Sequence, residues 1–244
     1  MTKASRKLKD SIKQIFSRAD LLVEKKTPLN SEQKLLDVLQ KRFNIDIVID
    51  VGANTGQFAL ELLSGNFNGS IYSFEPLPKT FEQLAQRASG TTKWKAENKA
   101  VGDKDGSIDI NIAANTESSS VLPMLDLHAE MAPESAYVGT VTVPIIKLDT
   151  YFKDADLMGK NVFLKIDVQG YEESVLDGAT RILPFIKLIQ LELSFVPLYA
   201  NSQLYYKMME RLEHADFSFY TFLPAFTNYK TGEIFQVDAV YVRR

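Results

Sequence analysis

The sequence predicts a doubly wound α/β domain, in which helices cover both faces of a mostly parallel sheet. Apolar runs typical of strands alternate with helical stripes from residue 46 onward, which is the pattern of βαβ units. Four of these runs end on an acidic residue, namely Asp50, Glu75, Asp167 and Glu192. Parallel strands present their carboxyl ends at one edge of the sheet, where such folds bind ligands, so we expect the four acids to share one site.

Composition is ordinary for a soluble globular protein. The 244 residues include 45% hydrophobic and 24% charged side chains, with a net charge of −3 and no cysteine. Disulfides and zinc–thiolate sites are therefore excluded, a nucleic-acid partner is not expected, and a cytoplasmic location fits. No apolar run reaches transmembrane length, and no signal-peptide core is evident. We expect a helical extension over residues 1–45 and the α/β domain over residues 46–244.

The first 26 residues are basic and amphipathic. They hold eight Lys or Arg against three acids, and apolar residues from Leu8 to Val23 fall on one helical face. Such a helix either makes peripheral contact with anionic lipid or an anionic carrier-linked substrate, or packs on the domain with a solvated basic side. We favour packing. A second helix, capped by Ser31, is expected to lead into the first strand.

A glycine turn follows the first strand. The β-branched run ends at Gly52, Gly56 closes a tight turn, and Asn54 or Thr55 is placed to cap the next helix. In such a turn the backbone approaches a ligand closely and free N–H groups point at it. Asp50 disfavours phosphate and suits a ligand with a cationic or hydroxyl-rich part. The turn alone leaves a dinucleotide site, a structural turn and a methyl-donor site open.

The second strand narrows these alternatives because it ends on Glu75. An acid at this position can accept both hydroxyls of a ribose, as in dinucleotide folds. The phosphate fingerprint is incomplete, since the third and sixth positions counted from Gly52 are Asn54 and Gln57. A nucleoside without phosphates is therefore the better ligand, and S-adenosylmethionine is the common one.

Four motifs in the order found here resemble the FkbM-type S-adenosylmethionine-dependent methyltransferases: Asp50–Gly56 (DVGANTG), Phe74–Pro76 (FEP), Ala100–Asp103 (AVGD) and Leu164–Gly170 (LKIDVQG). The resemblance extends from about Ile47 to the C-terminus. It implies a Rossmann-like class I methyltransferase sheet, S-adenosylmethionine as donor with S-adenosylhomocysteine as product, and O-methylation of a sugar, glycan or polyketide-like hydroxyl. A nucleotide-sugar or NAD-binding protein without methyl transfer is the alternative.

The expected cofactor site joins the glycine turn to the ends of the next two strands. In the third strand, expected over Lys93–Val101, Asn98 and the backbone near Ala100 and Val101 lie where an adenine would be met. Each could equally belong to a strand leading to the next turn. The expected cofactor residues are Asp50, Gly52, Ala53, Asn54, Gly56, Glu75, Pro76, Asn98, Ala100 and Val101.

Residues 113–139 form a polar connection between two half-exposed strands. A connection of this length is either disordered or a lid over the site. In the family that the chain resembles, a Ser-Ser motif here lies near the active site, so Ser118, Ser119 and Ser120 carry over as substrate residues. Val121 stands where the family more often has leucine. His128, expected in this loop, is either a general base or a surface residue.

The fourth parallel strand, Val162–Asp167, supplies the candidate catalytic residues. Lys165 interrupts the apolar run of this strand, and a charge there needs a partner. Asp167 is placed to pair either with Lys165 or with the substrate. Asp167 and Glu192, together with Lys165, are the candidates for proton removal or hydroxyl orientation. The two carboxylates could also hold Mg²⁺, which we do not favour because no third ligand is evident. The family normally has glutamate where this chain has Gln169.

Further elements complete the expected sheet. Pro78 is expected to start the helix after the second strand, and Asp149 to cap a helix before the fourth strand. The remaining elements are, in order, a helix burying Val175–Leu183, a strand over Lys187–Leu193, a helix over Gln203–His214, and strands over Phe217–Leu223 and Gln236–Val242. Such a final pair commonly closes this fold as an antiparallel edge.

Overall fold

The computed structural model describes residues 24–244. In this range the chain forms a seven-stranded sheet, a three-stranded sheet and a two-stranded hairpin. Residues 1–23, which hold most of the helix expected within residues 1–26, lie outside the described residues, so that helix stays a prediction. Across residues 24–244 the structure contains no helix with the length and apolar character needed to cross a membrane.

The strands are β1 (Ile47–Val51), β2 (Ser70–Phe74), β3 (Trp94–Glu97), β4 (Ala100–Val101), β5 (Gly106–Ala113), β6 (Tyr137–Ile146), β7 (Val162–Ile166), β8 (Ile186–Ser194), β9 (Phe217–Pro224), β10 (Thr227–Asn228), β11 (Glu233–Ile234) and β12 (Gln236–Arg243). The α-helices are α1 (Glu32–Arg42), α2 (Gln57–Ser64), α3 (Pro78–Ala88), α4 (Asp126–Met131), α5 (Leu148–Tyr151), α6 (Asp154–Leu157), α7 (Glu172–Asp177) and α8 (Tyr205–His214).

The seven-stranded sheet has the strand order β3-β2-β1-β7-β8-β12-β9. Neighbouring strands from β3 to β8 run parallel, whereas β12 runs antiparallel to both β8 and β9. The predicted doubly wound, mostly parallel α/β sheet with an antiparallel last strand is therefore confirmed. The strand order reverses at β1, which has β2 on one side and β7 on the other. Sheets of this kind bind ligands in the crevice at such a switch point.

The central strand β1 is buried along its whole length because helices cover both faces of the sheet. Ile47, Ile49 and Val51 belong to a core layer with α5, α7 and α8, while Val48 belongs to the layer with α1, α2 and α3. A strand with two buried faces is a nearly continuous apolar run, so β1 shows no alternation. The exception is Asp50, which shares a face with Val48.

Helix α1 packs on this same domain. Leu35, Leu36 and Leu39 are buried in the cluster that contains Val48 of β1. Ser31 occupies the N-cap position that the sequence predicts, although its side chain makes no capping hydrogen bond. The packing brings the N-terminal end of α1 close to the carboxyl edge of the sheet, and the division of the chain at residues 45 and 46 stays a prediction.

The predicted third strand is wrong in its extent, because it is two strands in two sheets. Trp94–Glu97 pairs with β2, whereas Ala100–Val101 pairs with β6 of the three-stranded sheet. The amide of Asn98 donates hydrogen bonds to the carbonyl oxygens of Glu75 and Pro76 at 2.9 and 3.0 Å. A side chain therefore occupies the backbone acceptors that a longer β3 would use.

Two predicted helix caps are also wrong. The N-cap of α2 is Gly56 in the left-handed conformation, while the Asn54 side chain accepts the N–H of Thr55 instead of an N–H inside the helix. Asp149 lies within α5, and its carboxylate accepts the backbone N–H groups of Arg181 and Ile182 at 2.9 and 3.0 Å. Both side chains thus satisfy backbone donors of turns.

The later elements follow the predictions closely, with one shorter helix. Pro78 is the first residue of α3, and β8, α8, β9 and β12 match the expected ranges within two residues. The helix expected as far as Leu183 ends at Asp177, where Gly178 forms the C-cap. A side chain at Gly178 would collide with the carbonyl oxygen of Gly102, so the chain turns there on a residue without one.

The long polar connection is a folded segment. Asn111 and Ser120 form a β-bridge, α4 follows, and a short 3₁₀ turn spans Pro133–Ser135 before β6. His128 was expected in a loop, and that expectation is wrong: it lies on α4 with 4% of its surface exposed. Its ring packs against the Tyr199 and Phe226 rings at 5.1 and 5.3 Å, because α4 uses it as a core residue.

Candidate active site

A cavity of about 370 Å³ lies at the carboxyl ends of the central strands. Its volume is within the range of about 300–1,000 Å³ that is usual for small-molecule sites. The predicted residues that line it are Gly52, Ala53, Asn54, Glu75, Pro76, Ala100, Val101, Ser119, Ser120, Lys165, Asp167 and Glu192. The structure does not bring Asp50, Gly56, Asn98, Ser118 or His128 to the cavity wall.

Glu75 is held rigidly at one end of the cavity. One carboxylate oxygen accepts the N–H of Asn54 at 2.9 Å and the other accepts the N–H of Leu77 at 2.8 Å. Burial raises the pKa of Glu75 to about 7, although both backbone hydrogen bonds act in the opposite direction. Each oxygen keeps a lone pair, so the carboxylate can accept two further hydrogen bonds from a ligand.

The glycine turn holds the carboxyl ends of β1 and β7 together. Gly52 has a φ of 77°, and a Cβ there would collide with the carbonyl oxygen of Asp167. Gly56 has a φ of 91°, and a Cβ there would lie 2.7 Å from the Trp94 ring. Both positions therefore need glycine for conformation and for close approach. Gly56 supports the turn from beneath, whereas Gly52 lies at the cavity.

Asp50 lies under the cavity floor and not in its wall. Its side chain is fully buried, with Oδ2 accepting the Ser73 hydroxyl at 3.1 Å and Oδ1 lying 3.4 Å from Nζ of Lys165. The indole N–H of Trp94 donates to the same Ser73 hydroxyl at 3.0 Å. Strands β2, β1 and β7 pair in register at Ser73, Asp50 and Lys165, so a row of polar side chains crosses the sheet face beneath the site.

Lys165 joins this buried row to the cavity. Its Nζ lies 3.2 Å from Oδ2 of Asp167 and 3.3 Å from the carbonyl oxygen of Gly52, and it approaches the Phe58 ring at 5.6 Å. Burial opposes the ammonium form, but the carboxylates of Asp167 and Asp50 outweigh burial and raise the pKa of Lys165 above its usual range. Lys165 is therefore a fixed positive charge between two acids.

The opposite end of the cavity from Glu75 is acidic. Asp167 and Glu192 are bridged by Gln169, whose Nε2 donates to both carboxylates at 2.9 Å. Asp238 on β12 pairs in register with Glu192 on β8. Burial raises the pKa of Glu192 well above its usual range, and the neighbouring Asp167 and Asp238 add to the effect. Burial also raises the pKa of Asp238 to about 7.

Gln169 is held in an uncommon backbone conformation by this network. Its φ is 55°, which is unfavourable for a side chain longer than that of Asn or Asp. Its Oε1 accepts the Tyr199 hydroxyl at 3.0 Å, and its carbonyl oxygen accepts the Ser120 hydroxyl at 2.6 Å. The surrounding hydrogen bonds offset the strain, and strain of this kind concentrates at functional sites.

The three serines occupy different environments. Ser119 and Ser120 line the cavity, where Ser119 Oγ accepts the N–H of Ala113 at 3.0 Å. Ser118 instead lies 2.9 Å, hydroxyl to hydroxyl, from buried Ser135. The predicted serine motif therefore divides, with two residues at the cavity and one bracing the segment that carries them.

Among the cavity residues that sequence reasoning missed, four polar ones bear on the acidic end: Glu32, Gln169, Gln190 and Asp238. Gln190 and Glu192 alternate with leucine on β8, and Asp238 interrupts the apolar run of β12, so polar residues at a spacing of two signalled this face. In the sequence, Gln169 was noted only because it lacks the charge of the glutamate that the family normally has there. Glu32 carries no sequence signal, because only the packing of α1 brings it to the cavity.

The carboxylates do not form an evident metal centre. Within the described part of the chain, no group of three or more His, Asp or Glu side chains is arranged to hold a metal ion. The amide of Gln169 lies between Asp167 and Glu192 and donates to both. Magnesium binding stays an open alternative that a chelator can test.

Comparison with known proteins identifies the family to which the sequence is similar. A sequence profile of the methyltransferase FkbM domain matches residues 50–219. The chain is 28% identical over 176 residues to the hexuronic acid methyltransferase AglP of Haloferax volcanii, covering 68% of this chain and 63% of that protein. It is 23% identical over 159 residues to the 2-O-methyltransferase NoeI of Sinorhizobium fredii, covering 63% of this chain and 65% of that protein. The matched part is thus under two thirds of the length of either relative.

Solved structures show similarity at low identity. An rRNA methylase from Streptococcus thermophilus matches with a TM-score of 0.49 and 9% identity, over 91% of this chain and 99% of that chain. A precorrin-6y C5,15-methyltransferase from Geobacter metallireducens matches with a TM-score of 0.44 and 13% identity, over 92% and 95% of the two chains. The family profile matches well over half of the chain and includes the glycine turn, Glu75, Lys165, Asp167 and Glu192, and on this ground the chain belongs to the FkbM methyltransferase family.

Proposed function

We propose that the protein transfers a methyl group from S-adenosylmethionine to a hydroxyl of a sugar or glycan. The observation that carries this proposal is a single cavity with two different ends: an oriented carboxylate, Glu75, at one end, and the Asp167–Gln169–Glu192 group at the other. The first end suits a nucleoside and the second suits a hydroxyl that must be held and deprotonated.

The residues at the first end fit the adenosine part of the donor. Glu75 has both oxygens directed by backbone N–H groups, so it can accept a pair of vicinal hydroxyls. Leu77, Ala100 and Val101 provide apolar wall beside it for a planar ring. Since the glycine turn at Gly52 carries no phosphate-binding fingerprint, a nucleoside fits better than a dinucleotide.

When bound, S-adenosylmethionine supplies a methyl group on a positively charged sulfur, and transfer to a hydroxyl oxygen breaks the C–S bond, forms the C–O bond, leaves a neutral thioether and releases the hydroxyl proton. The chain's task is to align the acceptor and to take up that proton. Glu192 is our candidate for the proton, because its neighbours and its burial make it a stronger base than an ordinary carboxylate.

Asp167 has a different proposed task. Lys165 and Gln169 donate to its two oxygens, and 38% of its side chain is exposed at the cavity. A carboxylate fixed from behind and open in front can accept a hydrogen bond from the acceptor hydroxyl and orient it. Lys165 acts on Asp167 and is a positioning residue in this scheme.

Two observations support a sugar hydroxyl as the acceptor. The relatives named above are a hexuronic acid methyltransferase and a 2-O-methyltransferase. The second end of the cavity is lined by carboxylates and amides, which are the groups that bind hydroxyls. A polyketide-like acceptor would meet few apolar side chains there, so the sugar is the better fit.

Calorimetric titration tests the proposal against a nucleotide-sugar or NAD-binding protein. We expect S-adenosylhomocysteine to bind, and NAD and UDP-glucose not to bind at the same protein concentration. The reverse pattern would replace the proposal with the alternative. Adding EDTA should leave S-adenosylhomocysteine binding and turnover unchanged, and a loss of turnover restored by Mg²⁺ would bring a metal into the mechanism.

A further inference from the structure

The acceptor end of the cavity is rich in carboxylate and amide oxygens that can accept hydrogen bonds. Four carboxylates line it: Glu32, Asp167, Glu192 and Asp238. Two lysines of residues 24–244 line the cavity, and both are already paired. Lys99, just before β4, lies 3.7 Å from a carboxylate oxygen of Glu97, and the ammonium group of Lys165 contacts Asp50, Asp167 and the Gly52 carbonyl. An anionic group entering here would find no available positive partner.

The N–H groups of the amides near this end are also already hydrogen-bonded to protein groups. Gln169 Nε2 donates to two carboxylates, and Gln190 Nε2 lies 3.3 Å from a carboxylate oxygen of Glu32. Gln236 Nε2 donates to Glu192 and to Ser194. The N–H groups of these amides therefore point into the protein network, and Gln169 Oε1 accepts the Tyr199 hydroxyl. The Gln190 oxygen and the carboxylates are left for a ligand.

One oxygen in this set is without a partner. Gln190 is 3% exposed, lines the cavity, and its Oε1 accepts no hydrogen bond from any described residue. A buried amide oxygen is ordinarily bonded, so this atom lacks a donor that a ligand can bring. A hydrogen-bond donor on the ligand would satisfy this oxygen, which is the same ligand chemistry that the carboxylates indicate.

We propose that the sugar unit bound at this end carries hydrogen-bond donors and no anionic group, so that an uncharged polyhydroxy sugar is accepted and a uronic acid is rejected. This inference rests on the proposed function and narrows its substrate class. An amino sugar offers the same donors through an ammonium group, and it forms a separate arm of the test. The cavity carboxylates repel the carboxylate of a uronic acid. This repulsion acts at short range in a largely buried site, where salt screens it weakly.

The test uses matched methyl glycosides with the full chain and S-adenosylhomocysteine or S-adenosylmethionine. The β-glucoside, β-glucuronide and β-glucosaminide differ in one group each, and the galacto and manno series repeat the comparison. Binding is measured calorimetrically in the presence of S-adenosylhomocysteine, and transfer is measured as incorporation of labelled methyl. Binding of S-adenosylhomocysteine alone is measured first, which tests the proposed function separately.

We expect the preferred neutral glycoside to bind at least tenfold more tightly than its uronide. Asp238→Asn should narrow that ratio several-fold, because it removes one carboxylate from the cavity wall with little change in volume. Glu97→Gln is the matched control: Glu97 ends β3, contacts Lys95 and Tyr151 and lies outside the cavity, so the ratio should not change.

Three outcomes would overturn the inference while S-adenosylhomocysteine still binds: a uronide bound as well as or better than its neutral partner, a ratio unaffected by Asp238→Asn, or no binding by any glycoside of the panel. If only the glucosaminide binds, the ligand's hydrogen-bond donors come from an ammonium group, and the proposal of an uncharged sugar is wrong. Failure of S-adenosylhomocysteine to bind would instead remove the proposed function.

Discussion

Nζ of Lys165 lies 3.4 Å from Oδ1 of Asp50, and the two residues pair in register on adjacent parallel strands. Asp50 is fully buried, so its charge has no access to water. The same ammonium group contacts Asp167 at the cavity. One lysine therefore neutralises an acid in the core and positions another in the site, which links stability to the candidate chemistry.

Replacing Lys165 with methionine should strongly destabilise the protein. Removing one partner of a buried ion pair leaves an uncompensated charge and typically costs about 3–5 kcal/mol. We expect urea unfolding to report a loss of that order. The double variant Asp50→Asn/Lys165→Met should recover much of the loss, since no buried charge is left unpaired. A single variant as stable as the wild type would show that Asp50 is not charged in the fold.

Replacing Glu75 with glutamine should weaken S-adenosylhomocysteine binding at least tenfold while the fold survives. Hydrogen bonds to a charged group contribute about 1.5–3 kcal/mol, and the amide can no longer offer two acceptors to a ribose. Titration calorimetry measures the loss, with circular dichroism as the check on folding. Glu97→Gln, at the end of the adjacent strand, should leave the affinity unchanged. Unaltered affinity in the Glu75 variant would refute its role at the ribose.

Binding of S-adenosylhomocysteine should strengthen as the pH rises through about 7. The pKa of Glu75 in the ligand-free protein is raised to about 7, and the ionised carboxylate is the better acceptor for two hydroxyls. Binding below that pH must release the proton, so affinity should be up to about tenfold weaker at pH 6 than at pH 8. Glu75→Gln should remove this dependence. A wild-type affinity that falls as the pH rises would contradict the assignment.

Replacing Asp167 with asparagine should lower turnover and leave S-adenosylhomocysteine affinity close to that of the wild type. The change removes a charge and little volume, and loss of a group that acts on the acceptor proton typically lowers the rate about 10²–10⁴-fold. Labelled-methyl transfer to the preferred glycoside gives turnover, and calorimetry gives affinity. Equal losses in both would assign Asp167 to the cofactor or to a structural pair with Lys165 alone.

Two glycine-to-alanine changes should differ sharply in their effect on stability. Gly232 and Gly52 have nearly equal φ angles of 79° and 77°, but a Cβ at Gly232 meets nothing within 4 Å, whereas one at Gly52 meets the Asp167 carbonyl. Gly232→Ala should cost only the left-handed strain of about 1–2 kcal/mol. Gly52→Ala should cost clearly more in urea unfolding and should also weaken S-adenosylhomocysteine binding. Equal costs would mean that β1 and β7 separate easily at this point.

The sheet was predictable because its strands carry their own signals. Apolar runs ending in acids located β1, β2, β7 and β8, and Gln236–Val242 was expected as a strand of the closing antiparallel pair. Strand ends placed Glu75, Asp167 and Glu192 at one edge, and the structure brings all three to one cavity. These predictions used only neighbours along the chain and the geometry of parallel strands.

The parts that could not be predicted depend on contacts between distant segments. Asn98 ends β3 by bonding to carbonyl groups beyond β2, and Glu32 reaches the cavity only because α1 packs beside β8. His128 is polar in sequence but lies between two aromatic rings. Asp50 was assigned to the ligand by its position, and the structure gives it a buried lysine instead, because the side chain points below the turn and not above it.

The polar row beneath the site ends at Trp94, which is the only tryptophan of the chain. Its indole N–H is bonded to the Ser73 hydroxyl that also donates to Asp50, and its ring packs under Gly56 of the glycine turn. Tryptophan emission depends on the polarity and charge around the indole. The intrinsic fluorescence of this protein therefore comes from one identified place, directly under the turn that bounds the cavity. The molecule carries its own optical probe of that turn, and ligand binding can be followed without attaching a label.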